Sequence, residues 1–185
     1  MILDSYSRKV CDISFPEFQA AQQYMATTQG GFVELPGHIK QYEIAVQTLC
    51  NKLNYKGQIH VTVDEKTILK GDTQRKPELH VDGRFAGNKW SHGWNHYCNE
   101  LPLERMTVAV ASNLARCKVY HGVFEGKPDE QGDLSHIRDQ VGDGLLVPEN
   151  EWHLLSPDCV HESLPLHCTT NRSFIRVAFE DRIAA

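Results

Sequence analysis

Glu78-Leu79-His80-Val81-Asp82-Gly83 is the stretch from which the rest of the chain is read. Apolar and polar residues alternate, and in a strand residues i and i+2 project to the same face. His80 and Asp82 therefore point one way and Leu79 and Val81 the other. Similar short alternating segments, rich in β-branched residues, recur at 58–63, 79–85, 106–111, 117–124, 144–147, 151–155 and 173–179. Turn residues separate them, a spacing that predicts a mainly β sandwich or barrel. Ahead of them, 15–25 carries an early proline followed by helix formers. In 36–53, Ile39, Ile44 or Ala45, Leu49 and Leu53 fall near one stripe. Both read as helices, so residues 1–55 are expected to be mainly helical support and 56–185 the β core of one domain.

An imidazole and a carboxylate side by side supply two of the three ligands of a facial triad, which leaves open positions on a ferrous ion. The third ligand is expected from a distant histidine, and His161, within Ser156-Pro157-Asp158-Cys159-Val160-His161-Glu162-Ser163-Leu164-Pro165-Leu166, is the best placed. Beyond it, Asn171-Arg172-Ser173-Phe174-Ile175-Arg176-Val177-Ala178-Phe179 puts Arg172 and Arg176 on one strand face and Ile175, Val177 and Phe179 on the other. A guanidinium beside a metal suits bidentate capture of a carboxylate. Arg172 is the preferred anion ligand, with Arg176 its competitor. Tyr120 is a further candidate contact for a cosubstrate, although core packing explains it equally well.

Two irregular stretches interrupt the strands, 88–103 and 125–144, and loops of this length inside a domain are often binding loops. The first contains Trp90, His92, Trp94 and His96, read as a substrate lid. His92 and His96 have the spacing of a helical zinc pair, but Gly93 and Asn95 disfavour a helix there. Cys159 lies two residues from His161, and a bystander thiol is the simpler reading than a nucleophile. The acidic residues Asp129, Glu130, Asp133, Asp139 and Asp143 read as a solvated face.

Composition bounds the partners. With 185 residues, 41% hydrophobic and 23% charged, the chain has the profile of a globular domain with a core. A net charge of −5 argues against nucleic acid as the main partner, because phosphate binding needs a basic excess. The six cysteines contain no C-x-x-C pair, which disfavours a zinc ribbon. The apolar runs are too short to span a bilayer, and the N-terminus lacks the pattern of a signal peptide, so a cytoplasmic, membrane-free protein is expected.

Across residues 78–180, His80-x-Asp82, then His161-Glu162-Ser163-Leu164-Pro165, then Arg172 resembles the Fe(II)/2-oxoglutarate-dependent oxygenases, and the H-E-x-x-P context resembles their prolyl-hydroxylase branch. The resemblance implies a double-stranded β-helix (jelly roll). It implies an iron held by His80, Asp82 and His161, and 2-oxoglutarate held at Arg172. It further implies a dioxygenase that hydroxylates a prolyl or other protein side chain, or a small molecule, with succinate and CO2 as co-products and ascorbate as a candidate reductant. Two alternatives stand beside it. One is a cupin-type metalloenzyme that does not use 2-oxoglutarate, and the other a non-catalytic jelly-roll module with a binding or structural role.

Overall fold

Strand alternation dominates the chain, and the computed structural model, which describes residues 1–82, 107–129, 132–180 and 183, resolves it into antiparallel sheets. In chain order the strands are β1 (Ile2–Ser5), β2 (Ser7–Asp12), β3 (Gln22–Gln29), β4 (Gln58–Ile68), β5 (Thr107–Ser112), β6 (Cys117–Tyr120), β7 (Gly122–Glu125), β8 (Leu145–Leu146), β9 (Glu151–Leu155), β10 (Val160–Ser163) and β11 (Thr170–Phe179). A 3-10 segment, Gly37–Tyr42, leads into helix α1 (Glu43–Lys52), and a second lies at Ser135–Gln140. The large sheet has the order β2-β9-β5-β11-β4-β3, the small sheet β10-β6-β8, and β1 pairs with β7. The backbone at His80 extends the small sheet through an antiparallel bridge to His161 on β10. From β4 onward the chain passes back and forth between the sheets: β4 large, His80 small, β5 large, β6 and β8 small, β9 large, β10 small, β11 large.

The parity of β11 distributes the core. Ile175, Val177 and Phe179 join Ala109, Ala111, Trp152 and Leu154 of the same sheet and Val46 and Leu49 of α1 in one buried cluster, so the helix covers the outer face of the large sheet. Phe174 and Ala178, of opposite parity, meet Val108, Val110 and Leu155 of the large sheet and Val119 of the small one. This second cluster fills the space between the sheets. Leu79, Val81, Tyr120 and Val160 turn to the far side of the small sheet, where Leu3, Phe124, Leu134 and Ile137 cover them.

Most expected strands fall where the alternation places them, and 36–53 forms the 3-10 segment and α1. Within that stripe Ala45 packs on the core, whereas Ile44 is 82% exposed. The helix expected at 15–25 is replaced by irregular chain and β3. The reason lies in β4. Buried Glu65 accepts hydrogen bonds from the amides of Gln19 (2.8 Å) and Ala21 (2.9 Å), donors that a helix would have turned inward, and β3 then pairs with the open edge of β4. Residues 1–55 also hold β1 and β2, so the support is partly stranded rather than mainly helical. Segment 117–124 divides at His121, with β6 in the small sheet and β7 on β1. Between them and β8, Gly144 sits at φ +62°, and a Cβ there would lie 2.6 Å from the Tyr120 ring. Among the described residues no helix is long and apolar enough to cross a membrane.

Ile175→Ala, at a fully buried position, is expected to lower unfolding stability by about 3 kcal/mol, while Ile44→Ala stays within about 0.5 kcal/mol. Urea denaturation of the two variants checks this.

Candidate metal centre

The centre is built by backbone pairing. His80 N–H donates to the His161 carbonyl and His161 N–H to the His80 carbonyl, both at 2.9 Å, so the two residues are a directly opposed, hydrogen-bonded pair. Opposed residues share a face, and the imidazole centroids lie 4.2 Å apart. Asp82, two residues on from His80, joins them. One ligand atom from each of His80, Asp82 and His161 falls within 4.8 Å of the others, a group able to hold a metal ion. His161 Nε2 is 4.0 Å from Asp82 Oδ2. The other side of the His80 segment is fixed as well: Val81 N–H donates to the Gly132 carbonyl at 3.1 Å and Leu134 N–H to the Leu79 carbonyl at 2.7 Å.

Each imidazole is oriented in the same way. His80 Nδ1 lies 2.7 Å from the Glu78 carbonyl and His161 Nδ1 2.9 Å from the Cys159 carbonyl, in both cases two residues back along the chain. A proton on Nδ1 donates to that carbonyl and leaves Nε2 as the basic nitrogen, the arrangement that metal-binding histidines use. Burial, with the neighbouring His161 ring adding to it, pushes the His80 imidazole down to about 3 against the pull of Asp82. It is therefore neutral at pH 7 and available as a ligand. Burial acting alone would raise the Asp82 carboxyl. The Arg176 guanidinium outweighs it, with help from the two imidazoles and Arg75, and holds the group well below the usual carboxylate range.

The two arginines of β11 divide their work. Arg176 Nη1 lies 3.0 Å from Asp82 Oδ2, so it orients the carboxylate and balances its charge. Arg172, 1% exposed, donates from Nε to Ser112 Oγ at 3.0 Å, while its buried Nη1 has no hydrogen-bond partner among the described residues. Burial lowers the Arg172 guanidinium to about 10, which leaves it charged at pH 7. Ser163, two residues beyond His161 on the same face and opposite Cys117 in register, also buries a hydroxyl without a partner among the described residues. A buried cation and a hydroxyl with unused hydrogen-bonding capacity, on the side that carries the His-Asp-His group, fit a carboxylate-bearing ligand.

Tyr120 lies elsewhere. It pairs with Val160, so it has the parity opposite to that of Val119 and His161 and faces the far side of the small sheet. Its hydroxyl donates to Glu162 and accepts from Arg138 Nη1 at 3.3 Å, while Arg138 Nη2 donates to Glu162 at 2.5 Å. This network clamps the second 3-10 segment onto β10 and holds the Tyr120 side chain on the side of the small sheet away from the His-Asp-His group. Cys159 is buried, and burial pushes its thiol up, which suits packing rather than nucleophilic attack. Trp90, His92, Trp94 and His96 lie outside the described residues. Sequence reasoning missed Ser112, Ser163 and Arg75. Only Ser163 left a signal, its shared parity with His161. Comparison with protein families, curated proteins and solved structures returns no match.

Removing Arg176 leaves the buried Asp82 carboxylate unbalanced. Arg176→Met is expected to cost the metal-free protein about 3 kcal/mol, with much of the loss recovered in Arg176→Met/Asp82→Asn, as chemical denaturation will read. Because His80 titrates far below its unfolded value, the unfolded chain takes up that proton first on acidification. Stability of the metal-free protein is thus full above about pH 6.5 and falls as pH drops below it, and the slope is shallower in His80→Gln, measured by denaturation midpoints between pH 8 and 5.

Proposed function

We propose that the protein is an Fe(II)- and 2-oxoglutarate-dependent oxygenase, a hydroxylase acting on a C–H bond. The observation that carries this reading is the meeting of His80, Asp82 and His161, two imidazoles and one carboxylate, beside a buried arginine whose Nη1 has no hydrogen-bond partner among the described residues. The passage of the chain between two antiparallel sheets from β4 to β11 supports a jelly-roll frame, in which such a group sits at the seam of the small sheet.

His80 and His161 would hold the iron through Nε2, and Asp82 through its carboxylate. Bound there, ferrous iron and 2-oxoglutarate supply the oxygen activation that oxidises the substrate, with succinate and CO2 as co-products. The chain's own residues do the rest. The Glu78 and Cys159 carbonyls hold the imidazoles in one tautomer. Arg176 keeps Asp82 ionised and aimed. Arg172, its Nε fixed by Ser112, would hold the distal carboxylate of the cosubstrate through Nη1. Val110, Val119 and Phe174, buried between the sheets, keep the surroundings apolar and so strengthen that ion pair.

Anaerobic titration with Fe(II) and then 2-oxoglutarate tests the proposal through the visible metal-to-ligand charge-transfer band. The band is expected in the wild type and absent in His161→Ala. Arg172→Ala is expected to weaken 2-oxoglutarate about 10- to 100-fold, the worth of one charge-assisted contact. Metal binding without 2-oxoglutarate binding would instead favour a metalloenzyme of the cupin type.

A further inference from the structure

The interior carries more positive charge than the cosubstrate accounts for. Phe174 stands between Arg172 and Arg176 on the same face of β11, and the Arg75 guanidinium lies over its ring, 5.1 Å from the centroid. Three arginines thus line one short stretch of the strand. Their engagements differ. Arg176 Nη1 is on Asp82, and the buried Arg172 Nη1 has no hydrogen-bond partner among the described residues. Among the described residues, the one ion pair of Arg75 is a 3.8 Å contact to Asp64, a carboxylate that Lys66 approaches more closely, at 3.2 Å. Among the described residues three arginines here, Arg75, Arg172 and Arg176, meet two carboxylates, Asp64 and Asp82, and Lys66, with its side chain 39% exposed, shares the first.

Arg75 is also firmly held. Gln74, its buried neighbour, donates from Nε2 to the Asp64 carbonyl at 2.5 Å, which ties this corner to β4. On the other side, Ser163 N–H donates to the Lys76 carbonyl at 3.0 Å, which ties it to β10. The segment therefore bridges the large and small sheets four residues before the His80 bridge. The Arg75 side chain is 24% exposed, against 1% for each arginine of β11. It can meet a ligand that arrives from solvent, whereas Arg172 serves one that is enclosed.

From this placement we infer that Arg75 binds a carboxylate of the substrate, and that the substrate class is acidic: a free organic or amino acid, or an acidic group on a peptide. The inference rests on the oxygenase reading for the assignment of 2-oxoglutarate to Arg172. The face of Phe174 keeps the guanidinium in place and leaves its donors for the ligand.

The test uses the full chain loaded with Mn(II), which supports binding without turnover, and saturated with 2-oxoglutarate. Isothermal titration calorimetry is run with a panel of L-amino acids and hydroxy acids, each beside its amide, and with Asp- and Glu-containing peptides beside their Asn and Gln counterparts. Acids are expected to bind and amides to bind at least about 10-fold more weakly. Arg75→Gln is expected to abolish that preference while changing the 2-oxoglutarate dissociation constant by less than about twofold, and Arg75→Lys to restore part of it. Arg75→Lys also serves if Arg75→Gln does not fold. Binding of peptides but not of free acids identifies a protein side chain as the source of the carboxylate. Equal binding of acids and amides, no binding of any acid, or equal loss of 2-oxoglutarate and acid in Arg75→Gln overturns the inference. Failure of the wild type to bind 2-oxoglutarate defeats the oxygenase reading instead, and Arg75-dependent acid binding to the Mn(II)-loaded protein would survive it.

Discussion

The reciprocal pair of backbone hydrogen bonds between His80 and His161 is the contact on which the centre depends. It makes two residues from distant parts of the chain directly opposed, and strand parity then follows without further adjustment. Both imidazoles must project to one face, Asp82 must join them, and Leu79, Val81 and Val160 must turn to the apolar layer on the other side. A shift of one residue in this register would turn His80 and Asp82 into that layer and Leu79 and Val81 toward His161, which β6 holds in place. The apolar cover from Leu3, Phe124, Leu134 and Ile137 is therefore as much a part of the candidate centre as His80, Asp82 and His161, because it penalises every odd shift of register.

The second constraint is electrostatic. Two fully buried arginines on one strand face are costly, and the chain offsets that cost in different ways. Arg176 is balanced by Asp82, and that pairing in turn holds a ligand carboxylate ionised in a dry setting. Arg172 has Ser112 on one nitrogen and leaves another without a partner among the described residues. Arg75, about a quarter exposed and resting on Phe174, extends the same positive field toward solvent.

The strands were legible because alternation is a local signal. The β11 pattern assigned Ile175, Val177 and Phe179 to one face and both arginines to the other, as found. Helix propensity at 15–25 failed because a non-local competitor, the buried Glu65 carboxylate, takes the amides of Gln19 and Ala21, and the open edge of β4 recruits Gln22–Gln29. Tyr120 was misplaced for a related reason: its strand was recognised, but which face meets the centre depends on the partner strand.

The sequence by itself determined the shared face of His80 and Asp82 and the shared face of Arg172 and Arg176, since each depends only on spacing along one strand. Tertiary structure alone decided that His161 is opposed to His80, that Arg176 and not Arg172 takes Asp82, and that Arg75 lies over Phe174. These depend on register between strands, and register is set by how distant apolar faces are buried together, which no local spacing encodes.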